Sequence, residues 1–224
     1  MNEKKIAAEA AIEFVEDGMI VGLGTGSTVG FFINALVPRL KSGLRITSVS
    51  TSQRTSELAN SVGIKLTSLN DVPEIDLTID GADEVDKNLN GIKGGGGALL
   101  YEKIVSGYSK KNIWIVDSTK LVETLGKFPL PVEVMKFGSN QLYKKLEKRG
   151  YNPKFRMNND KFFLTDSNNY IIDLHPGRID QPERIDKELK SFPGVIDTGL
   201  FINIADVVIV GRGDKYEVLK KNLK

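Results

Sequence analysis

Three short stretches of this 224-residue chain combine residue types that can do chemistry. The first is Gly24-Thr25-Gly26-Ser27-Thr28, which follows an apolar run and precedes a helical period. Its amides and hydroxyls therefore face whatever anion rests on the positive end of that helix, and a phosphate is the obvious guest. It is not a nucleotide fingerprint, because Ser27 stands where G-x-G-x-x-G needs its last glycine, and G-x-x-x-x-G-K-[ST] does not occur. A tight strand-to-helix turn with hydroxyl caps would use the same residues. The second stretch, Asp80-Gly81-Ala82-Asp83-Glu84, lies at the carboxyl end of an apolar strand, the edge where open α/β sheets take ligands. A solvated turn with Asp83 or Glu84 capping a helix is its alternative. The third is Lys93-Gly94-Gly95-Gly96-Gly97-Ala98, followed by Glu102. Four consecutive glycines are costly to order and belong where φ is positive or a ligand approaches the backbone, although a flexible surface loop reads the same way. Glu102 falls in the first turns of the helix this stretch opens, where nearby amides favour an ionised carboxylate. A carboxylate beside a lysine and a phosphate site has the makings of an acid–base centre.

Three single residues carry weaker signals. Lys120 follows Asp117-Ser118 at a strand end on the same edge, yet a lone lysine is usually solvated. His175 reads as a structural histidine and Trp114 as core.

The elements that must position these groups follow from hydrophobic spacing. Ile6, Ala7, Ala10, Ala11, Phe14 and Val15 share one helix face, ending near Asp17-Gly18, and a strand follows at 19–23. After the glycine loop, Phe31, Phe32, Ala35 and Leu36 resume a helical period as far as Pro38. Strands are expected at 45–49, 64–66, 75–79 and 112–116, with helices through 58–62 and through Leu99, Leu100, Ile104 and Val105. Such alternation predicts an α/β fold, doubly wound, with a mainly parallel, Rossmann-like sheet. Beyond Pro131 the character changes. Leu142, Tyr143 and Leu146 mark an amphipathic helix, and 162–165 with 170–174 reads as a hairpin around Asp166-Ser167-Asn168-Asn169. A helix from Pro182, with Asp180 as N-cap, leads to a strand at 195–198, and 205–210 is apolar enough to rejoin the first sheet. The expected division is a catalytic domain of 1–127 and 199–224 and a small α+β, ferredoxin-like insert at 128–198.

Composition removes several function classes. With 31 basic and 29 acidic residues the net charge is +2, too balanced for a nucleic-acid footprint. The absence of cysteine excludes thiolate nucleophiles, iron–sulfur clusters and cysteine-bound zinc, and a single histidine excludes a multi-histidine metal site. No cofactor or metal is expected. No apolar run approaches the ~18 residues of a membrane helix, so the expectation is a cytoplasmic protein with no membrane partner. Any chemistry runs on carboxylates, lysines, hydroxyls and backbone amides.

Five motifs in order, Val21-Gly22-Leu23-Gly24-Thr25-Gly26-Ser27-Thr28, Asp80-Gly81-Ala82-Asp83-Glu84, Lys93-Gly94-Gly95-Gly96, Gly126-Lys127-Phe128-Pro129-Leu130-Pro131-Val132-Glu133-Val134, and Pro193-Gly194-Val195 with Thr198-Gly199-Leu200-Phe201, closely resemble the A-type ribose-5-phosphate isomerases. The resemblance spans essentially the whole chain. It implies a metal-independent enzyme of the non-oxidative pentose phosphate pathway that interconverts D-ribose 5-phosphate and D-ribulose 5-phosphate through an enediolate. It further implies a phosphosugar substrate and a homodimer or dimer of dimers. Position by position, it puts the substrate loop on Thr25, Gly26, Ser27 and Thr28, and the acidic loop on Asp80, Gly81, Ala82 and Asp83. The lysine–glycine loop falls on Lys93, Gly94, Gly95 and Gly96, the general base on Glu102 and a further substrate-contacting lysine on Lys120. Lys4, next to Lys5, matches a phosphate-region lysine. Where Gly97 stands the family often has alanine, which implies a slightly looser loop and unchanged chemistry.

Two rival readings share the sheet. Sugar-phosphate sensor domains of transcription regulators carry an extra DNA-binding domain, whereas here only one helix is expected ahead of the first loop, and Glu102 supplies a base a sensor does not need. Coenzyme A transferases and sugar-phosphate deaminases share the fold in outline, but the ordered Asp80 and Lys93 motifs match the isomerase pattern.

Overall fold

Strands whose side chains are apolar on both faces must be covered on both faces, and the central strands of this protein are of that kind. The structure, a computed structural model, describes residues 2–221; Met1 and the last three residues of the expected 199–224 segment lie outside the described residues. The chain divides into two compact units, one containing the residues up to Ala82, Tyr101–Leu121 and those from Asn203, the other Asp83–Leu100 and Val122–Ile202. The second unit thus holds, besides the stretch 128–198 read as an insert, residues 83–100, 122–127 and 199–202.

The first unit is built on a six-stranded sheet in the spatial order Lys215–Lys220, Val207–Arg212, Asn112–Asp117, Leu77–Asp80, Ile20–Leu23, Thr47–Ser50. Every pairing is parallel except that of the first two, a terminal hairpin. Leaving out that hairpin's last strand, the chain order is 2-1-3-4-5, one of the two common doubly wound arrangements. Its switch point lies between the strands Ile20–Leu23 and Leu77–Asp80. Helices Glu3–Ala10 and Ser27–Lys41 bury Ala7, Ala8, Phe32 and Leu36 against Val21, Leu23 and Ile79 on one face. On the other face Val105, from the helix Leu99–Gly107, packs with Val49 and Ile75. The fold class read from the sequence is the one observed.

The second unit runs strand, helix, strand, strand, helix, strand through Leu130–Val134, Ser139–Lys148, Pro153–Phe155, Tyr170–Leu174, Pro182–Lys190 and Val195–Thr198. Its four strands form an antiparallel sheet in the order 4-1-3-2, the ferredoxin-like arrangement. Leu142, Leu146 and Leu189 from the two helices close its core on Val132, Ile172 and Leu174. A three-stranded ribbon of Leu200–Phe201, Gly91–Ile92 and Glu84–Val85 completes it.

Several expectations need correction. The segments 162–165 and 170–174 do not form a hairpin. Lys161–Phe162 pairs with Met157–Asn158 at an exposed edge, while the apolar Tyr170–Leu174 lies between Leu130–Val134 and Pro153–Phe155. The turn between them is closed by Thr165 and Asn169, and the Thr165 hydroxyl is turned toward Glu133. Leu66 makes only an isolated bridge to Ser48 instead of a strand. The first helix ends at Ala10 and continues as a 3-10 turn, Ala11–Phe14. The edge strand Lys215–Lys220 escapes sequence reading because it is almost wholly exposed and carries no apolar run.

Glu3 ties this unit together at three points: its carboxylate accepts hydrogen bonds from the Gly213 amide (2.8 Å), the Ser118 amide (3.0 Å) and the Ser118 hydroxyl (2.7 Å). Those donors, the Gly213 amide foremost, pull its pKa from the usual 4.5 down to about 2. A carboxylate lowered on folding stabilises the protein above its unfolded pKa and ceases to do so as pH falls through the folded value. Thermal melts of wild type and Glu3→Gln should therefore differ fully at pH 6 and converge as pH is lowered from 4.5 toward 2. A gap that stays constant over that range would show that ionisation of Glu3 is irrelevant to stability.

Candidate active site

In the first unit the site begins where two parallel strands come very close. A Cβ on Gly22 would lie 1.9 Å from the Thr78 hydroxyl oxygen, and one on Gly24 would lie 2.0 Å from an Asp80 carboxylate oxygen and 2.6 Å from the Asp80 Cα. Only glycine fits at either position. The approach lets Asp80 Oδ1 accept from the amides of Thr25 (3.1 Å) and Gly81 (2.7 Å), and Asp80 is buried, at 3% exposure. Gly81 and Ala82 are half-buried beside it.

The Thr25 hydroxyl belongs to a cluster with Thr51 (2.8 Å), Ser52 (2.8 Å) and Thr55 (3.3 Å), and the Thr55 hydroxyl donates to the Gly24 carbonyl at 2.8 Å. Sequence reading missed these partners. The Ser50-Thr51-Ser52 run signals only a loop, although Ser52 proves to cap the helix Gln53–Ser61. Gly26, at φ +127°, is the N-cap of the helix Ser27–Lys41 and contributes no side chain to it, so the exposed Ser27 and the buried Thr28 open the helix at its positive end. Lys4 Nζ donates to Ser27 Oγ at 3.1 Å, while Lys5 pairs with Glu9 on the surface. Of the two adjacent lysines, Lys4 is the one that reaches the loop.

Glu102 sits in the first turn of the helix Leu99–Gly107, buried at 4% exposure. Lys120 ends a short turn, Ser118–Lys120, capped by Asp117 at the carboxyl end of its strand, and is half-buried.

In the second unit the remaining candidate residues each have partners of their own. Asp83 Oδ2 accepts from the Gly95 amide at 2.8 Å. Glu84 is committed elsewhere, its two oxygens accepting from the amides of Gly126 (2.7 Å) and Phe128 (2.6 Å). The acidic stretch is therefore no solvated turn. Lys93 is buried, with its amide donating to the Gly199 carbonyl at 2.9 Å and its ammonium 5.2 Å from the centre of the Phe201 ring. Gly94 and Gly97 have positive φ and are buried, whereas Gly95 and Gly96 are exposed. The four-glycine run is a packed loop with two exposed peptides. His175 donates from Nδ1 to the Asn152 carbonyl (3.1 Å), a structural role, and Trp114 is core.

The family model for ribose 5-phosphate isomerase A (phosphoriboisomerase A) matches residues 47–215. Ribose-5-phosphate isomerase A of Bifidobacterium adolescentis is 54% identical over 210 residues, 93% of this chain and 90% of that protein. A solved D-ribose-5-phosphate isomerase in complex with phospho-erythronic acid superimposes with a TM-score of 0.94 at 42% identity, covering 98% of this chain and 100% of the other. Ribose 5 phosphate isomerase A of Neisseria gonorrhoeae gives 0.91 at 42% identity, covering 99% and 97%.

Two glycines near the first loop should respond oppositely to alanine. Gly24→Ala drives the Asp80 carboxylate off the Thr25 amide and should destabilise by about 1–3 kcal/mol, in the range of core overpacking. Gly30→Ala meets only Leu58 Cδ2, at 3.7 Å, and lies inside a helix, so it should stabilise by up to about 1 kcal/mol. Urea melts of both variants measure this. Equal and small effects would mean the close approach at Gly24 is not held.

Proposed function

The chain belongs to the ribose 5-phosphate isomerase A family and interconverts D-ribose 5-phosphate and D-ribulose 5-phosphate, an aldose–ketose isomerisation of the pentose phosphate pathway, and from that premise we propose how its residues share the work. The reaction takes a weakly acidic proton from C2, carries the charge as an enediolate over C1 and C2, and returns a proton to C1. One carboxylate serves both transfers. Glu102 is that base, and the observation that carries the assignment is its burial in the first turn of the helix opened by Lys93 and the glycine run. A positioned base of this kind contributes about 10²–10⁴-fold.

Lys93 and glycine-loop amides other than that of Gly95, which Asp83 already holds, bind the enediolate oxygens, each donor worth about 3 kcal/mol. Asp80 and Asp83 orient the sugar hydroxyls and open the furanose ring, each with its carboxylate already fixed by backbone amides. Ser27 and Thr28, opening the helix Ser27–Lys41 with Lys4 on Ser27, take the phosphate, and Lys120, just past the strand Asn112–Asp117, contacts the substrate. Phosphate binding then holds the reacting carbons in line. The ligand of the solved relative supports this division, since phospho-erythronic acid joins a phosphate to a planar carboxylate with the shape and charge of an enediolate.

The enzyme acts as a homodimer or dimer of dimers. Tyr101, Ile104 and Tyr108 support this, three exposed apolar side chains at helical spacing along and just past the helix Leu99–Gly107. It works in the cytoplasm; among the described residues no helix is long and apolar enough to cross a membrane.

Proton NMR of ribose 5-phosphate in D₂O tests the base. Wild type should form ribulose 5-phosphate with loss of the C2 proton signal, and Glu102→Gln should lower both by about 10²–10⁴-fold. Near-normal C2 exchange in that variant would assign the base elsewhere. Ribose without its phosphate should lose turnover as well as affinity.

A further inference from the structure

We infer that Arg156, locked by Asp173, is a positioning residue that sets the geometry of the glycine loop and, through it, of Lys93; the inference rests on the role proposed above for Lys93. Four glycines in succession have no side chain with which to fix their own peptide planes. Here the planes are fixed from outside. Arg156 Nη1 donates to the carbonyls of Gly94 (2.8 Å) and Gly95 (3.1 Å). The other edge of the same guanidinium, through Nε and Nη2, lies bidentate on the Asp173 carboxylate, and both side chains are largely buried. Opposite, Asp83 holds the Gly95 amide.

The arginine is itself well anchored. Its amide donates to the Ile171 carbonyl at 2.9 Å, and Asp173 lies on a strand paired on both sides. The guanidinium stands 5.7 Å from the centre of the Phe163 ring, and that same ring occupies the space a Cβ on Gly97 would enter, at 2.5 Å. Guanidinium and ring together form a seat under both ends of the loop. The carbonyls of residues 94 and 95 point down into this seat, so the peptide planes that follow Lys93 have one orientation. Asp173 neutralises the guanidinium, so Arg156 presents geometry to the loop more than net charge. A lysine at 156 would keep the charge but could not bridge a carboxylate and two carbonyls at once.

A kinetic double-mutant cycle tests the inference, with kcat and KM for ribose 5-phosphate and melting temperature measured for wild type, Arg156→Lys, Lys93→Ala and the pair. Arg156→Lys should lower kcat by about 10- to 100-fold, as misplacement of a reacting group does, while KM stays within about twofold. Added to Lys93→Ala, the same change should cost no more than about a further twofold, because its effect runs through Lys93. Wild-type kcat in Arg156→Lys, or an equal fall in both backgrounds, overturns the inference. If Arg156→Lys fails to fold, Asp173→Asn, which keeps the arginine and weakens its lock, enters the cycle with the same expectations. Wild-type turnover by Lys93→Ala alone would refute the role assigned to Lys93, a result that needs no arginine variant and is thereby distinct.

Discussion

The first unit depends on the closeness of two parallel strands at their carboxyl ends. Ile20–Leu23 and Leu77–Asp80 meet at the switch point of the sheet, where Gly22 faces the Thr78 hydroxyl and Gly24 faces Asp80 with no room for a Cβ. Because the backbone at Gly24 and Thr25 can come this near, the Asp80 carboxylate accepts from the Thr25 and Gly81 amides and is oriented by them. The Thr25 hydroxyl then turns to Thr51, Ser52 and Thr55, joining the first and second crossover loops through one polar cluster. Gly26 closes the turn with a backbone angle suited to glycine, and the helix that follows begins with unsatisfied amides where an anion can sit. A sequence of small residues here is thus a set of distance constraints.

Glycines serve the second unit differently. At Gly94 and Gly97 the conformation itself is left-handed, but the run as a whole works by leaving space for side chains from elsewhere: Leu99 under Gly94, Asp83 at Gly95, Phe163 under Gly97. A loop of this composition would lose much conformational entropy on ordering, and the hydrogen bonds from Arg156 and to Asp83 offset that cost. Part of the hold on the loop that follows Lys93 thus comes from Arg156, 62 positions beyond Gly94 in the chain.

That contrast explains what could be read in the sequence. The alternation of apolar strands and amphipathic helices, the strand ends carrying Thr25 and Asp80, and the helix carrying Glu102 are local patterns, and the structure has them. The hydroxyls of Thr51 and Thr55, the pair Arg156 and Asp173, and Glu3 bridging to Ser118 and Gly213 are partners brought together by tertiary folding, and no spacing rule points to them. The hairpin expected at 162–174 failed for a related reason: Tyr170–Leu174 is the most apolar strand of its region, and a central place in a sheet buries more than an edge hairpin would. Lys4 and Lys5 are indistinguishable as sequence, and a single hydrogen bond to Ser27 separates them.

The carboxylates of the acidic stretch show how the fold divides groups of one type. Three such groups within five residues would repel one another if all were ionised and loosely solvated. Each instead has its own amide partners: Asp80 those of Thr25 and Gly81, Asp83 that of Gly95, Glu84 those of Gly126 and Phe128. Glu84 is thereby spent on structure, both oxygens closed off in the interior, and it holds the chain at 126–128 where the strand Leu130–Val134 is about to begin. Asp80 and Asp83 each accept from backbone amides, which orients the carboxylate of each. Glu102 belongs to a different element, buried in the first turn of the helix Leu99–Gly107.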